Sequence, residues 1–214
     1  PNMCHKFASS LRGNYQSIED MDAKDLLSWA KKFDRAKGNN RAVEIIDFMA
    51  NCATQISTEL KTIKGKFKNR GIPDISGIRK HRDIADLLLS ITNNDNYIGY
   101  DSVLAKMKQI ENIHVYRAEL LHEMQTALRA HASAGRETLE ETAWHTRSRT
   151  KYIGRRDYQR VISRTLLIKG LEYDHAVVLG ADQLDIKNLY VALTRGSTSL
   201  TILSKSRFLL PEPF

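Results

Sequence analysis

The chain is poor in cysteine and has no long apolar run, and both absences restrict what it can do. Its 214 residues include two cysteines, Cys4 and Cys52, and neither belongs to a Cys-x-x-Cys pair. This spacing supplies no disulfide framework and no zinc site, and it favours reduced thiols in a cytosolic protein. No run of about 18 apolar residues occurs, so we expect no membrane span and no membrane partner. The start shows no signal peptide, so we expect a cytoplasmic protein.

The phosphate loop of an ATPase is also missing. No Gly-x-x-x-x-Gly-Lys-[Ser/Thr] motif and no Asp-Glu type motif for Mg²⁺ occurs. We therefore expect no catalytic ATPase activity from this chain alone. The seven histidines show no metal-ligand spacing, so we expect no metal site. The chain opens with Pro1 rather than Met, which we interpret as a piece of a longer protein.

Positive charge is in excess. The chain carries 33 Lys and Arg against 25 Asp and Glu, with a net charge of +8. This balance favours a polyanionic partner, most often nucleic acid, although many basic proteins bind none. The charge alone leaves both readings open.

The spacing of apolar residues is helical over most of the chain. Leu26, Ala30 and Phe33 predict a helix over 22–37, and an apolar face from Ala42 to Leu60 predicts one long helix over 40–63. Shorter helices are predicted over 82–91, 101–110, 115–131 and 137–146. We expect residues 1–150 to form a mostly helical subdomain.

The pattern changes near residue 160, where β-branched and aliphatic runs begin. Strands are predicted over 161–167, 175–180 and 199–203. Between the last two, Asp185 is placed to cap a helix that Gly196 ends as its C′ residue. We expect residues 151–214 to form an α/β unit. Three strands make a thin sheet, so part of it is expected to lie outside this chain.

Two clusters in this second region carry chemistry. In Lys169-Gly170-Leu171-Glu172-Tyr173, a lysine suits a phosphate and a glutamate suits ribose hydroxyls. The alternative is a strand-connecting turn with a surface ion pair. In Tyr190-Val191-Ala192-Leu193-Thr194-Arg195, the arginine suits a phosphate, or it is only a cation favoured at a helix C-terminus. Each pattern taken alone leaves its two readings open.

Taken together, KGLEYDHAVVLG and NLYVALTRG resemble the fifth and sixth helicase motifs of the UvrD/Rep-like superfamily 1 DNA helicases. The resemblance covers about residues 161–204. It implies that residues 151–214 are the C-terminal part of a second RecA-like domain, of the P-loop NTPase type. The helical region is compatible with the subdomain that interrupts this domain in the family. The phosphate loop and the Mg²⁺ carboxylates are then expected in a first RecA-like domain, N-terminal to Pro1 in the parent protein.

The resemblance also implies roles for single residues. Arg195 matches the arginine that contacts the γ-phosphate of ATP, and it is the expected catalytic residue. Lys169, Gly170 and Glu172 match the turn beside the nucleotide, with Glu172 at the ribose. The family commonly has Thr-x-His-x-x before this turn, where this chain has Arg164 and Leu166. The histidine that contacts single-stranded DNA in relatives is therefore absent.

A basic segment over 147–164, with Tyr152 and Tyr158 interleaved, is the expected nucleic-acid surface, mainly because of the family resemblance, and arginine with tyrosine suits phosphate contact and base stacking. The alternative is a solvated linker. Its basic residues are Arg147, Arg149, Lys151, Arg155, Arg156, Arg160 and Arg164.

The sequence thus predicts a C-terminal fragment of an ATP-dependent DNA helicase. ATP and Mg²⁺ are the expected cofactors of the parent protein, and none is held by this fragment alone. DNA and the first RecA-like domain are the expected partners. The alternative is a non-enzymatic module that binds nucleic acid or protein and retains helicase-like motifs.

Overall fold

The protein is mixed α/β, with small sheets of two strands each. The computed structural model describes residues 3–11, 14–18, 22–69, 71–93, 97–134, 138–153 and 159–209. The chain divides into two compact units, residues 1–162 and 163–214. Among the described residues, no helix has both the length and the apolar character needed to cross a membrane.

The first unit is built from helices, with one short strand pairing. In chain order its elements are α1 (Met3–Ser10), β1 (Gln16–Ile18), α2 (Asp22–Arg35), α3 (Asn39–Cys52), α4 (Ile56–Glu59), α5 (Lys61–Lys68), α6 (Arg82–Asn93), α7 (Tyr97–Met107), α8 (Ala118–Ala134), α9 (Leu139–Ile153) and β2 (Val161–Ser163). Strands β1 and β2 form a two-stranded sheet. The amide of Gln16 donates to the carbonyl of Arg160 at 2.9 Å.

The apolar faces of these helices meet in one core. The residues predicted to line α2, Leu26, Ala30 and Phe33, are all buried, as is the predicted face of the next helix from Ala42 to Leu60. Removing these side chains from water is the main force that holds helices of this length in place. The helical pattern read from the sequence is confirmed in this unit.

The single helix predicted over 40–63 is wrong in one respect, because the chain breaks after Cys52. Ala53 is extended and forms an isolated antiparallel bridge with Val115, and Gln55 has a φ of 64°. The carbonyl of Cys52 accepts from the amides of Tyr116 and Arg117 instead of continuing the helix. The sequence at this break contains no proline or glycine. The break is caused by pairing with a distant segment.

A buried arginine joins three parts of this core. The side chain of Arg117, 3% exposed, donates to the carboxylate of Asp25 and to the amide oxygen of Asn51. A buried guanidinium needs such acceptors, because a buried charge without a partner is costly.

The second unit contains a β–α–β arrangement. A 3-10 turn (Thr165–Ile168) leads to β3 (Tyr173–Leu179), and a second 3-10 turn (Ala181–Gln183) leads to α10 (Ile186–Leu193) and β4 (Gly196–Leu203). Strands β3 and β4 are parallel, with Tyr173 opposite Gly196 and Leu179 opposite Leu203. The strand predicted over 161–167 is wrong beyond Ser163, because a 3-10 turn begins at Thr165. Gly196 does not end α10 but starts β4.

One face of this sheet is covered and the other is open. Val178 packs with Leu189 and Ala192 of α10, and all three are buried. On the opposite face Val177 is 63% exposed and Leu179 is 50% exposed. Parallel sheets are normally covered on both faces, so this unit has an apolar surface that lacks a cover within the described part of the chain.

Candidate functional site

The helix α10 is fixed at both ends by side chains. Asp185 is its N-cap and accepts from the backbone and side-chain amides of Asn188, each at 2.8 Å. The side-chain oxygen of Asn188 also accepts from the hydroxyl of Thr165. The N-terminus of α10 is therefore tied to the 3-10 turn that precedes the Lys169 cluster.

The Asp185 cap has an electrostatic signature. Hydrogen bonds from the Asn188 backbone amide and then from its side chain hold the pKa of the Asp185 carboxyl below its usual value. The carboxylate that caps the helix is therefore favoured over the neutral acid.

The cluster of residues 169–172 forms an exposed turn before β3. Gly170 has a φ of 85°, a left-handed conformation that favours glycine. The amide of Leu171 donates to the carbonyl of Ile168 at 3.0 Å. Lys169, Gly170 and Glu172 are all exposed to solvent. The turn thus presents a cation and a carboxylate on its surface.

Arg195 lies between α10 and β4, one residue beyond the C-cap Thr194. Its Nε donates to the carbonyl of Val191 at 2.9 Å and its Nη2 donates to the hydroxyl of Thr194 at 2.8 Å. Its Nη1 donates to the carbonyl of Leu171. The carbonyl of Arg195 accepts from the amide of Tyr173 at 2.9 Å. The arginine is thus bound to the turn through both side chain and backbone.

The structure therefore brings the two sequence clusters together. The 169–172 turn precedes β3, and Arg195 precedes β4, whose first residue pairs with Tyr173. Both clusters lie at the amino ends of the two strands, where the C-terminus of α10 also arrives. The negative end of the helix dipole favours the cationic side chain of Arg195 at this place.

Two further residues of the NLYVALTRG motif contribute to this arrangement. Asn188 joins the turn before the Lys169 cluster to α10, and Thr194 accepts from the Arg195 side chain. The Asp185-x-x-Asn188 spacing is a capping signal, and it could have identified the first of these residues. The hydroxyl of Thr194 also donates to backbone carbonyls of α10 at 3.0 and 3.1 Å, a common local bond that carries no functional signal.

The residues predicted to contact nucleic acid have different surroundings. Arg147 has a side chain that is 15% exposed, donates to Glu123, and lies 3.7 Å from Glu119. Arg160 and Arg164 are exposed. Arg149 and Lys151 belong to α9, but their side chains lie outside the described residues, as do Arg155 and Arg156 altogether. Among the basic side chains of this segment that the structure describes, those of Arg160 and Arg164 are exposed.

Among the described residues, His, Cys, Asp and Glu form no group of three or more that could hold a metal ion. The two clusters that meet here contribute the cations Lys169 and Arg195 and the carboxylate of Glu172. This composition suits an anion better than a divalent cation.

Comparisons with known proteins found no matching family model, no matching curated protein and no matching solved structure.

Proposed function

We propose that this chain is a C-terminal part of a UvrD/Rep-like superfamily 1 DNA helicase, a motor driven by ATP. Residues 163–214 would belong to its second RecA-like domain. The observation that carries the proposal is the meeting of Arg195 with the Lys169–Glu172 turn. Two motifs that are 24 residues apart in sequence form one surface at the amino ends of two parallel strands.

The chemistry of this surface fits one side of a nucleotide site. Arg195 provides a guanidinium held by three hydrogen bonds, which limits the reorganisation needed to meet a phosphate. Lys169 adds a second cation, and Glu172 offers an exposed acceptor for ribose hydroxyls. ATP and Mg²⁺ would be bound mainly by a first RecA-like domain, which carries the phosphate loop.

The open face of the β3–β4 sheet supports a unit that is completed by further structure. Val177 and Leu179 expose apolar surface that the helices covering a larger parallel sheet would bury. This is the arrangement expected when a two-stranded segment belongs to a complete RecA-like domain.

In the helicase cycle, ATP would bind between the two RecA-like domains. Closure would bring Arg195 to the γ-phosphate, where it stabilises charge that develops during phosphoryl transfer. Hydrolysis would reopen the cleft, and the alternating grip on one DNA strand would move the protein along it. We assign Arg160 and Arg164, whose exposed side chains the structure describes, to contacts with the DNA backbone. We assign the same role to Arg149, Lys151, Arg155 and Arg156.

The test uses the complete protein that contains residues 1–214. Arg195→Ala should lower the DNA-stimulated rate of ATP hydrolysis by about 10³-fold or more, while DNA binding changes little. Lys187→Ala, which alters another exposed cation on α10, is the matched control and should retain turnover. Near-normal hydrolysis by Arg195→Ala would refute the assignment.

A second function, a non-enzymatic binding module, has one observation in its favour. The contacts of Arg195 with Leu171, Val191 and Thr194 are those of a residue that stabilises its own fold. Under this alternative the complete protein hydrolyses no ATP with or without DNA, and Arg195→Ala affects only stability.

A further inference from the structure

Glu172 lies between two hydrogen bonds that both end on Arg195. The carbonyl of Leu171, the residue before it, accepts from the Arg195 guanidinium. The amide of Tyr173, the residue after it, donates to the Arg195 carbonyl at 2.9 Å. One residue therefore fixes the backbone on both sides of Glu172.

The Glu172 side chain itself has no such restraint. Within the described part of the chain, its carboxylate takes part in no hydrogen bond and no ion pair, and it is exposed. The preceding Gly170, at a φ of 85°, has nothing within 4 Å of the position that a Cβ would occupy. The position from which this side chain extends is thus set by the backbone of residues 171–173, which Arg195 holds on both sides.

We propose that Arg195 is also the positioning residue for Glu172, so that one side chain controls both phosphate contact and ribose contact. This inference rests on the proposed function and adds a second task to the same arginine. The γ-phosphate contact needs the guanidinium in the closed cleft. The second task concerns the ribose, and it exists for any adenine nucleotide, with or without a γ-phosphate.

A nucleotide without a γ-phosphate separates the two tasks. ADP cannot report the contact of Arg195 with the γ-phosphate, and 2′-deoxy-ADP lacks a hydroxyl that Glu172 would accept from. The ratio of their affinities therefore measures the ribose contact. Loss of one hydrogen bond to a charged group corresponds to about tenfold in affinity, which sets the scale of the ratio.

The experiment measures both affinities by calorimetry on the complete protein and its variants. The unaltered protein should prefer ADP by about tenfold, and Glu172→Ala should remove this preference. Arg195→Ala should remove most of it as well, although ADP offers the arginine no γ-phosphate. Arg195→Lys, which keeps one donor for the Leu171 carbonyl, should retain part of it.

The outcomes separate this inference from the proposed function. If Arg195→Ala abolishes ATP turnover but keeps the full preference for ADP, the positioning role is overturned and the helicase assignment stands. If Arg195→Ala loses the preference but keeps turnover, the positioning role stands and the γ-phosphate assignment is lost. If the unaltered protein binds the two nucleotides equally, the ribose contact and the positioning role both fail.

A milder pair of variants keeps the test valid if Arg195→Ala does not fold. Thr194→Val retains the arginine but removes the hydroxyl that accepts from its Nη2, whereas Thr194→Ser keeps this acceptor. Thr194→Val should reduce the preference for ADP, and Thr194→Ser should restore it. An equal preference in both variants and the unaltered protein would overturn the positioning role.

Discussion

The guanidinium of Arg195 donates to the backbone carbonyl of Leu171, which lies 24 residues earlier in the chain. This bond joins the end of α10 to the turn before β3. Because the carbonyl belongs to the backbone, no amino-acid substitution at position 171 removes it. The arginine is the member of the pair that mutation can test, and its two proposed roles make its variants informative.

Gly196→Ala should destabilise the β3–β4 sheet by about 1–3 kcal/mol, the usual cost of overpacking. A Cβ at this position would lie 2.4 Å from the carbonyl oxygen of Ser199. The crowding arises where β4 carries an extra residue, since Tyr173 pairs with Gly196 and His175 pairs with Ser199. Amide hydrogen exchange in β3 and β4 measures the effect.

Gly65→Ala in α5 is the matched control for this substitution. Its Cβ would meet nothing within 4 Å, and alanine in a helix interior is favoured by about 0.5–1 kcal/mol over glycine. The first unit should therefore gain stability. Unchanged exchange in the sheet of Gly196→Ala would contradict the crowding.

Arg160→Ala and Arg164→Ala should each weaken the binding of single-stranded DNA and reduce its salt dependence. Each phosphate contact contributes a slope of about −0.7 in a plot of log affinity against log salt. Both side chains are exposed and so are accessible to a phosphate. Fluorescence anisotropy at several salt concentrations measures the slope, and an unchanged slope in both variants would remove them from the DNA surface.

Arg147→Ala is the contrasting variant in the same experiment. Its partner Glu123 is 2% exposed, and removing one member of a buried ion pair costs about 3–5 kcal/mol. We expect a lower unfolding temperature for the helical unit and an unchanged salt slope under conditions where it is folded. A reduced slope without loss of stability would show that Arg147 contacts the DNA.

The cap of α10 should weaken in acid. Because the pKa of Asp185 is lowered in the folded chain, the carboxylate contributes stability at pH values above its unfolded pKa, about 3.9. That contribution is lost as the pH falls through the lower, folded pKa. The carboxyl carbon shift of Asp185, followed by NMR, gives the folded pKa directly.

Asp185→Asn is the control for this pH dependence, since asparagine also caps helices but does not titrate. Its α10 should show less loss of protection between pH 5 and pH 2 than the unaltered chain. Asp182, whose pKa is lowered mainly by the backbone amide of Lys205, still titrates in both proteins. A folded pKa of Asp185 at or above the unfolded value would contradict the capping role.

The sequence predicted local structure well where local patterns determine it. The helical faces of α2 and α3 and the cap at Asp185 follow from spacing within single elements. The break at Ala53 could not be predicted, because Val115 and Tyr116 compete for the backbone groups that would have continued the helix. The short β2 pairs with the three-residue β1, and a local 3-10 turn follows it at Thr165–Ile168.

The candidate site was predictable in its members but not in its bonds. The motif resemblance selected Lys169, Glu172 and Arg195, and the parallel strands explain why these residues meet. The contact between Arg195 and Leu171 depends on a backbone carbonyl, which has no sequence signature. Arg147 illustrates the converse, because a basic run does not reveal that one of its members faces a buried glutamate.

The two units differ greatly in how much apolar surface they bury. The first has a continuous core through its helices, whereas the buried cluster of the second consists of Val178, Ala181, Leu189 and Ala192. Local opening should therefore require less free energy in the second unit. A protease acting on the native chain would cut first within residues 163–209 and leave a resistant helical product. The part to which we assign the proposed nucleotide chemistry is thus also the part whose folded state depends most on the structure around it.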